Sequence, residues 1–400
     1  MSRSPSHRGR PLEVFQAFLF LGLTSFGGPI AHLGYFRHEF VTRRHWLGEQ
    51  DYADLVALCQ FLPGPASSQV GFALGLLRAG PWGALLAWMA FTLPSALLLV
   101  AFALGASRLE GTVGAGLVHG LKVAAVAIVA QAVWGMARGL CPDRRRAGIA
   151  LAAVFTVVVV GGPFGQVMAI LAGLLAGLAL CRSAGGEPPR APWLLPVSRR
   201  FGSVAMAAFL LLLAGLPLLA LATTSPTLDL LDAFYRAGAL VFGGGHVVLP
   251  LLEAEVVQSG WLSSDAFLAG YGAAQAVPGP LFTFAAYLGS VLDTGPGGLA
   301  GAALALVAIF VPGLLLLVAV LPFWNTLRHW AVAQSAMRGA NAAVVGILGA
   351  ALYHPVWTGA ILGPEQFALA LAGFLLLVRW QLPAWAVVGL LSVSGIVVVP

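Results

Sequence analysis

Apolar stretches recur along the whole chain, at about 12–35, 51–78, 81–107, 113–138, 148–181, 203–224, 228–251, 266–292, 297–321, 332–353, 366–380 and 384–400. A helix needs about 20 apolar residues to cross the hydrocarbon core of a bilayer. Several stretches meet that length, and others are too short to cross upright. Some are interrupted from within. Gly27-Gly28-Pro29 falls inside the first and is followed by His32, Arg37 and Glu39; Pro63-Gly64-Pro65 interrupts the second; Gly161-Gly162-Pro163 divides 148–181 into a hairpin. The pattern predicts an all-α polytopic membrane protein with about 10–13 membrane segments, some of them broken, re-entrant helices.

Composition agrees. Apolar residues make up 59% of the 400 and charged residues 9%, against about 25% charged in a soluble domain. The 50 glycines and 25 prolines suit membrane helices whose freed backbone groups are satisfied by neighbours or a cavity. The basic tail 1–11 reads as disordered and cytoplasmic, with no small-residue cleavage site behind it. Cys59, Cys141 and Cys181 lie far apart and suggest neither a disulfide framework nor a metal site. The net charge of +6 reports cytoplasmic loops rather than a nucleic-acid surface. No nucleotide loop, metalloprotease motif or nucleophile elbow is present, so neither an enzyme nor a cofactor is expected.

The chain repeats itself. Phe26-Gly27-Gly28 returns as Phe242-Gly243-Gly244, Glu39 as Glu255, Val41 as Val257, Trp46-Leu47 as Trp261-Leu262, Gln60 as Gln275, and Pro63-Gly64-Pro65 as Pro278-Gly279-Pro280. Pro94 then meets Pro312, and Lys122 meets Asn341. This predicts a first membrane repeat over 12–182, a cytoplasmic linker over 183–200 and a second repeat over 201–400 that begins with a connecting span at about 203–224. Loop charges set the relative orientation. Arg37, Arg43 and Arg44 in 36–50, and Arg144, Arg145 and Arg146 in 141–147, have no basic counterparts in 252–265 and 354–365; Arg328 and Arg338 in 323–338 outnumber Arg108, which lies beside Glu110. Basic loops face the cytoplasm, so the two repeats are expected to be inverted, as in many transporters.

The breaks carry the candidate chemistry. Pro-Gly-Pro ends one helix and lets another begin. A helix that begins inside the membrane aims free N–H groups and a partial positive charge at the midplane, which suits an anion. The candidate permeation residues are therefore Phe26, Gly27, Gly28 and Pro29; Gln60, Pro63, Gly64, Pro65, Ser67 and Ser68; Phe242, Gly243, Gly244, Gly245 and His246; and Gln275, Pro278, Gly279, Pro280 and Thr283. Close packing through small residues is the alternative for any one FGG copy. Lys122, in mid-segment with His119 one turn earlier, is either a cation beside the site or a lysine reaching an interface. Asn341 would supply a neutral donor. His32 and His246 follow the two FGG breaks without aligning, and His246 either serves an anion or proton or satisfies a freed carbonyl. His32, Arg37, Glu39 and Glu255 either couple protons or fix the loops after the breaks. Trp46 and Trp261 read as interface anchors.

The stretches TSFGGPIAHLGYFRHEFV, YADLVALCQFLPGPASSQVG, GALVFGGGHVVLPLLEAEVV and YGAAQAVPGPLFTFAAYLG resemble the chromate ion transporter family in its long two-domain form. The resemblance covers nearly the whole chain from about residue 12, and the family's motifs fall on Phe26–Pro29, Gln60–Pro65, Phe242–His246 and Gln275–Pro280. It implies an inner-membrane carrier that exports chromate and confers resistance, with sulfate as the analogous anion and the bilayer as its other partner. An anion channel is the competing expectation, since duplicated broken helices also build channels. The sequence leaves a homodimer open.

Overall fold

The computed structural model describes residues 9–106, 111–181, 197–327 and 330–398. Most of the tail, most of the linker, Arg108, Glu110 and Arg328 lie outside the described residues. The described chain is helical throughout and contains no strand.

In the first half, α1 (Pro11–Thr24) stops at Ser25-Phe26-Gly27, and α2 (Gly28–Phe36) restarts and widens into a π-helical turn over Arg37–Arg43. Helix α3 (Glu49–Phe61) ends at the first Pro-Gly-Pro, from which α4 (Ala66–Ala106) departs. The separate stretches 51–78 and 81–107 expected from hydropathy are thus partly fused: α4 runs through both and only kinks at Ala79–Gly80, where Gly80 has φ +67° and Pro81 blocks a regular turn. Helix α5 (Gly111–Leu140) follows, then a hairpin of α6 (Arg144–Val160) and α7 (Gly162–Leu180). Asp143 starts α6 by accepting hydrogen bonds from the Arg145 and Arg146 N–H groups, an N-cap that satisfies two orphan donors.

Helix α8 (Arg199–Ala222) leads into the second half, which unfolds in the same order. Helices α9 (Pro226–Ala239) and α10 (Val248–Val256) flank the second FGG break; α11 (Ser264–Ala274) and α12 (Phe284–Val291) flank the second Pro-Gly-Pro; α13 (Gly298–Val320) and the short α14 (Trp324–Leu327) lead to α15 (Ala331–Ala351). The one-turn α16 (Thr358–Ala360) then precedes a closing hairpin of α17 (Pro364–Val378) and α18 (Ala384–Val398). Among the described residues, six helices are long and apolar enough to cross a membrane: α4, α5, α7, α8, α13 and α15, the last two counted with their short extensions. The protein is a multi-pass membrane protein. Helices α1 and α9, at 14 residues each, are about 21 Å long and fall short of the roughly 30 Å hydrocarbon core.

Packing crosses between the halves. The first-half hairpin α6–α7 lies on α15 of the second half, and the second-half hairpin α17–α18 lies on α5 of the first. Helix α5 is accordingly an interior pillar, with 72% of its most apolar stretch buried, whereas α8 is 11% buried and faces outward. Bundles in lipid gain little from apolar burial and rely on close backbone approach through small residues. Gly22 of α1 lies against Ala90 and Phe91 of α4, and Gly238 of α9 lies against Ile309 of α13. Gly116 and Gly120 of α5 meet α18, as Gly339 of α15 meets Gly173 and Gly177 of α7.

Candidate functional site

Each break leaves backbone N–H and C=O groups without helical partners, and in lipid an unmet group costs several kcal/mol. Two of the four are met across the halves. The Gly64 N–H of the first Pro-Gly-Pro donates to the Val241 carbonyl, one residue before Phe242, at 2.7 Å. The Gly279 N–H of the second donates to the Ser25 carbonyl, one residue before Phe26, at 2.9 Å. Each Pro-Gly-Pro of one half is thereby bonded to the FGG break of the other. Both glycines sit at positive φ, +117° for Gly64 and +96° for Gly279, and both are closely approached. A Cβ at Gly64 would stand 2.9 Å from Gly313 Cα, and one at Gly279 would stand 2.8 Å from Ser95 Oγ. Gln69 completes the first junction: its Nε2 donates to the Pro63 carbonyl at 3.0 Å and to the Gly313 carbonyl, beside Pro312, at 2.8 Å.

The two FGG breaks face each other. A Cβ at Gly28 would lie 4.0 Å from His246 Nε2, and one at Gly245 would lie 3.2 Å from Pro29 Cγ. Between them is a cavity of about 20 Å³ whose lining includes Gly27, Gly28, Pro29, His246, Gln275 and Gly279. That is room for about one water. Three of the four breaks line it; Pro63-Gly64-Pro65 does not, and joins the cluster through Val241. His246 Nδ1 lies 3.0 Å from the Tyr271 hydroxyl, which also engages the Gln275 side chain. The Gln275 side chain also lines the cavity. Asn341 brings its side-chain amide to Gly243, 3.6 Å from where a Cβ would be.

Other expected residues lie around the cluster. The Phe26 ring meets Trp385 of α18 at 6.1 Å, and Phe242 packs on the main core. Ser67 and Ser68 are buried at the start of α4, where Ser67 Oγ is 3.5 Å from His32 Nδ1. The Thr283 hydroxyl donates to the Pro280 carbonyl at 2.8 Å, which uses its proton. Gln60 is exposed and does not line the cavity, unlike Gln275. Lys122 is not among the residues lining this cavity, and its ammonium donates to Asp265 Oδ1 of α11 at 2.8 Å. The lysine side chain is 9% exposed and the aspartate 70%.

The charged residues after the breaks are engaged in ion pairs. Arg37 bonds Glu49 on an exposed part of the loop. Glu39 is buried and accepts from Arg44 at 2.6 Å and Arg43 at 3.0 Å. Burial pushes the Glu39 carboxyl up, and the bonds from Arg44 and Arg43 outweigh it and hold the group below the usual carboxylate range. Its repeat partner Glu255 is held by Arg236 at 2.9 Å, which also pairs with Asp232. These ion pairs lie on the chain that follows each break.

Tyr271, Gln69, Ser25 and Val241 were not among the residues singled out by sequence. Ser25 and Val241 occupy matching positions before the two FGG copies, so the repeat itself holds a signal for them. Gln69 and Tyr271 have no such counterpart.

The chain matches the family model described as chromate transporter over residues 12–178 and 228–397, which takes in all four breaks. It is 30% identical to a probable chromate transport protein of Synechococcus elongatus, over 85% of this chain and 83% of that one. It is 28% identical to a chromate transport protein of Pseudomonas aeruginosa, over 84% and 79%, and 29% identical to one of Cupriavidus metallidurans, over 87% and 83%. No solved structure matches. Matched across both halves by one family model, the chain belongs to the chromate transporter family.

Proposed function

We propose that the protein is a secondary transporter that exports chromate, a divalent tetrahedral oxyanion, across the inner membrane with its N-terminus in the cytoplasm. The observation that carries this reading is the pair of bonds from Gly64 to Val241 and from Gly279 to Ser25. They tie the breaks of the two halves together, so helix starts from both halves are held close to one another, and helix starts suit an oxyanion. Chromate is taken from the names of the relatives; sulfate shares its charge and shape. The arginines of 36–50 and 141–147, against non-basic counterparts in the second half, support inverted repeats.

A cavity of about 20 Å³ is too small for a four-oxygen ion, so passage requires the walls to part. This favours a carrier over a standing channel. Energetics favour export. One charge moved through 100 mV is worth about 2.3 kcal/mol, so a dianion leaving a negative interior gains about 4.6 kcal/mol per 100 mV, enough for a gradient of about a thousandfold. Either this potential or a proton gradient supplies the drive.

The test is chromate uptake into everted membrane vesicles, competed with sulfate, molybdate and phosphate. Saturable uptake with counterflow of labelled chromate is expected. Large conductance without counterflow would mark a channel, and uptake of sulfate unaffected by chromate would replace the substrate. Collapsing the pH gradient at fixed potential slows uptake if protons are coupled and leaves it unchanged if the potential alone drives it.

A further inference from the structure

A second polar cavity lies away from the breaks. It holds about 710 Å³ and is lined by Asp143, Arg144, Arg145 and Arg146 at the start of α6, Leu180 and Cys181 at the end of α7, and Arg338 of α15. Among the described residues, four guanidiniums face one carboxylate. Arg146 is paired with that carboxylate, Asp143, at 2.6 Å. The others have no carboxylate partner among the described residues. Arg145 donates to the Leu180 carbonyl at 3.0 Å and Arg338 to the Cys181 carbonyl at 3.3 Å. Both are thus held in place by neutral acceptors, with donors left over. Arg144 is exposed and makes no ion pair among the described residues.

Basic loops alone would follow from membrane orientation. They do not require arginines from two halves of the chain to converge on one concavity, with two of them tethered by carbonyls of a third helix end. The far end of α6 shows the contrast. There a cavity of about 570 Å³ is lined by Gly162, Asp229, Asp232, Arg236 and Glu255, so carboxylates outnumber the single arginine. Helix α6 has 17 residues and is about 25 Å long, so the two cavities of opposite sign are separated by roughly a bilayer core.

We infer that the arginine basin formed by Arg144, Arg145 and Arg338 binds a tetrahedral oxyanion, either a free divalent ion or the phosphoryl headgroup of an anionic lipid. Guanidinium forks match such oxygens two at a time, and basic pockets between membrane helices on the cytoplasmic side take anionic headgroups. The basin is wide enough for either.

The test uses the purified full-length protein in neutral detergent. Thermal-shift titrations compare sodium sulfate with sodium chloride at matched ionic strength, and short-chain phosphatidylglycerol with short-chain phosphatidylcholine. A saturable stabilisation selective for sulfate, for phosphatidylglycerol or for both is expected, and the selective member names the source. Arg144→Gln/Arg338→Gln should weaken the apparent affinity about tenfold or more; Arg144→Gln alone, at an exposed side chain, should weaken it less and leave the ligand-free transition unchanged. Arg338→Lys should keep part of the response. Gly279→Ala, which alters the break cluster, should retain it. Absence of any selective response overturns the inference. So does a response that survives the double substitution but is lost in Gly279→Ala, since that puts the ion at the breaks instead.

Discussion

A methyl group added at Gly279 would point at Ser95 Oγ from 2.8 Å on a backbone with φ +96°. Left-handed backbone alone costs an L-residue about 1–2 kcal/mol, and here the crowding adds to it. Gly279→Ala and Gly64→Ala are each expected to lower thermal stability and to cut chromate transport by about tenfold or more, because each disturbs one bond between breaks. Gly34→Ala is the control: no atom lies within 4 Å of its Cβ position, and the change should stay within about 0.5 kcal/mol. Thermal unfolding in detergent and vesicle uptake read both effects. Lys122 poses a separate question. Asp265 holds its ammonium at 2.8 Å, yet the lysine is the buried partner. If the ammonium attracts the anion, Lys122→Ala lowers chromate uptake about tenfold or more while Asp265→Asn stays within about twofold. Normal uptake by Lys122→Ala removes this residue from the permeation set. The lysine was legible in sequence as a charge in an apolar run; its partner, 143 residues away, was not, because no local pattern encodes a contact between α5 and α11.

At the scale of elements, the breaks were the legible part. Pro-Gly-Pro and FGG announce themselves through backbone chemistry that acts within a turn, and helices stop and restart at each as expected. The fusion of α4 across Gly80-Pro81 was less legible, since Pro is compatible both with a helix start and with a kink. Packing between elements was not legible from spacing alone. It depends on which glycines meet a neighbour's backbone. Gly22 and Gly238 are such a pair: the Cβ of either would stand within 2.6 Å of a carbonyl oxygen on α4 or α13. Gly22→Val and Gly238→Val are expected to destabilise the protein by about 1–3 kcal/mol each through overpacking. Their similar positions in the two halves predict effects of similar size, measurable as shifts in the thermal transition. A loss at one position with none at the other would break the equivalence of α1 on α4 with α9 on α13.

For the whole molecule, the sequence pointed to two repeats but not to their interlocking. The hairpins α6–α7 and α17–α18 both cross to the other half's central helix. Only the three-dimensional path reveals this. The crossed bonds of Gly64 and Gly279 tie the breaks in the same manner, so the cluster of breaks draws on both halves. Residues 1–190 and 191–400 made separately are therefore expected to give no chromate uptake alone and to recover a substantial part of it when made together. Uptake by either fragment alone would show that one half suffices.

That exchange of hairpins also bears on how the protein is made. In assembly terms the 400-residue chain is a fused heterodimer, and the linker's service is to fix the copy ratio at one to one. Were the same halves supplied from two genes, any excess of one would leave its α5 or α15 without the hairpin that sheathes it, exposing the glycine rows of that helix to lipid. Surplus halves should then be cleared by membrane quality-control proteases, and the cell's content of complete transporter would follow the scarcer half.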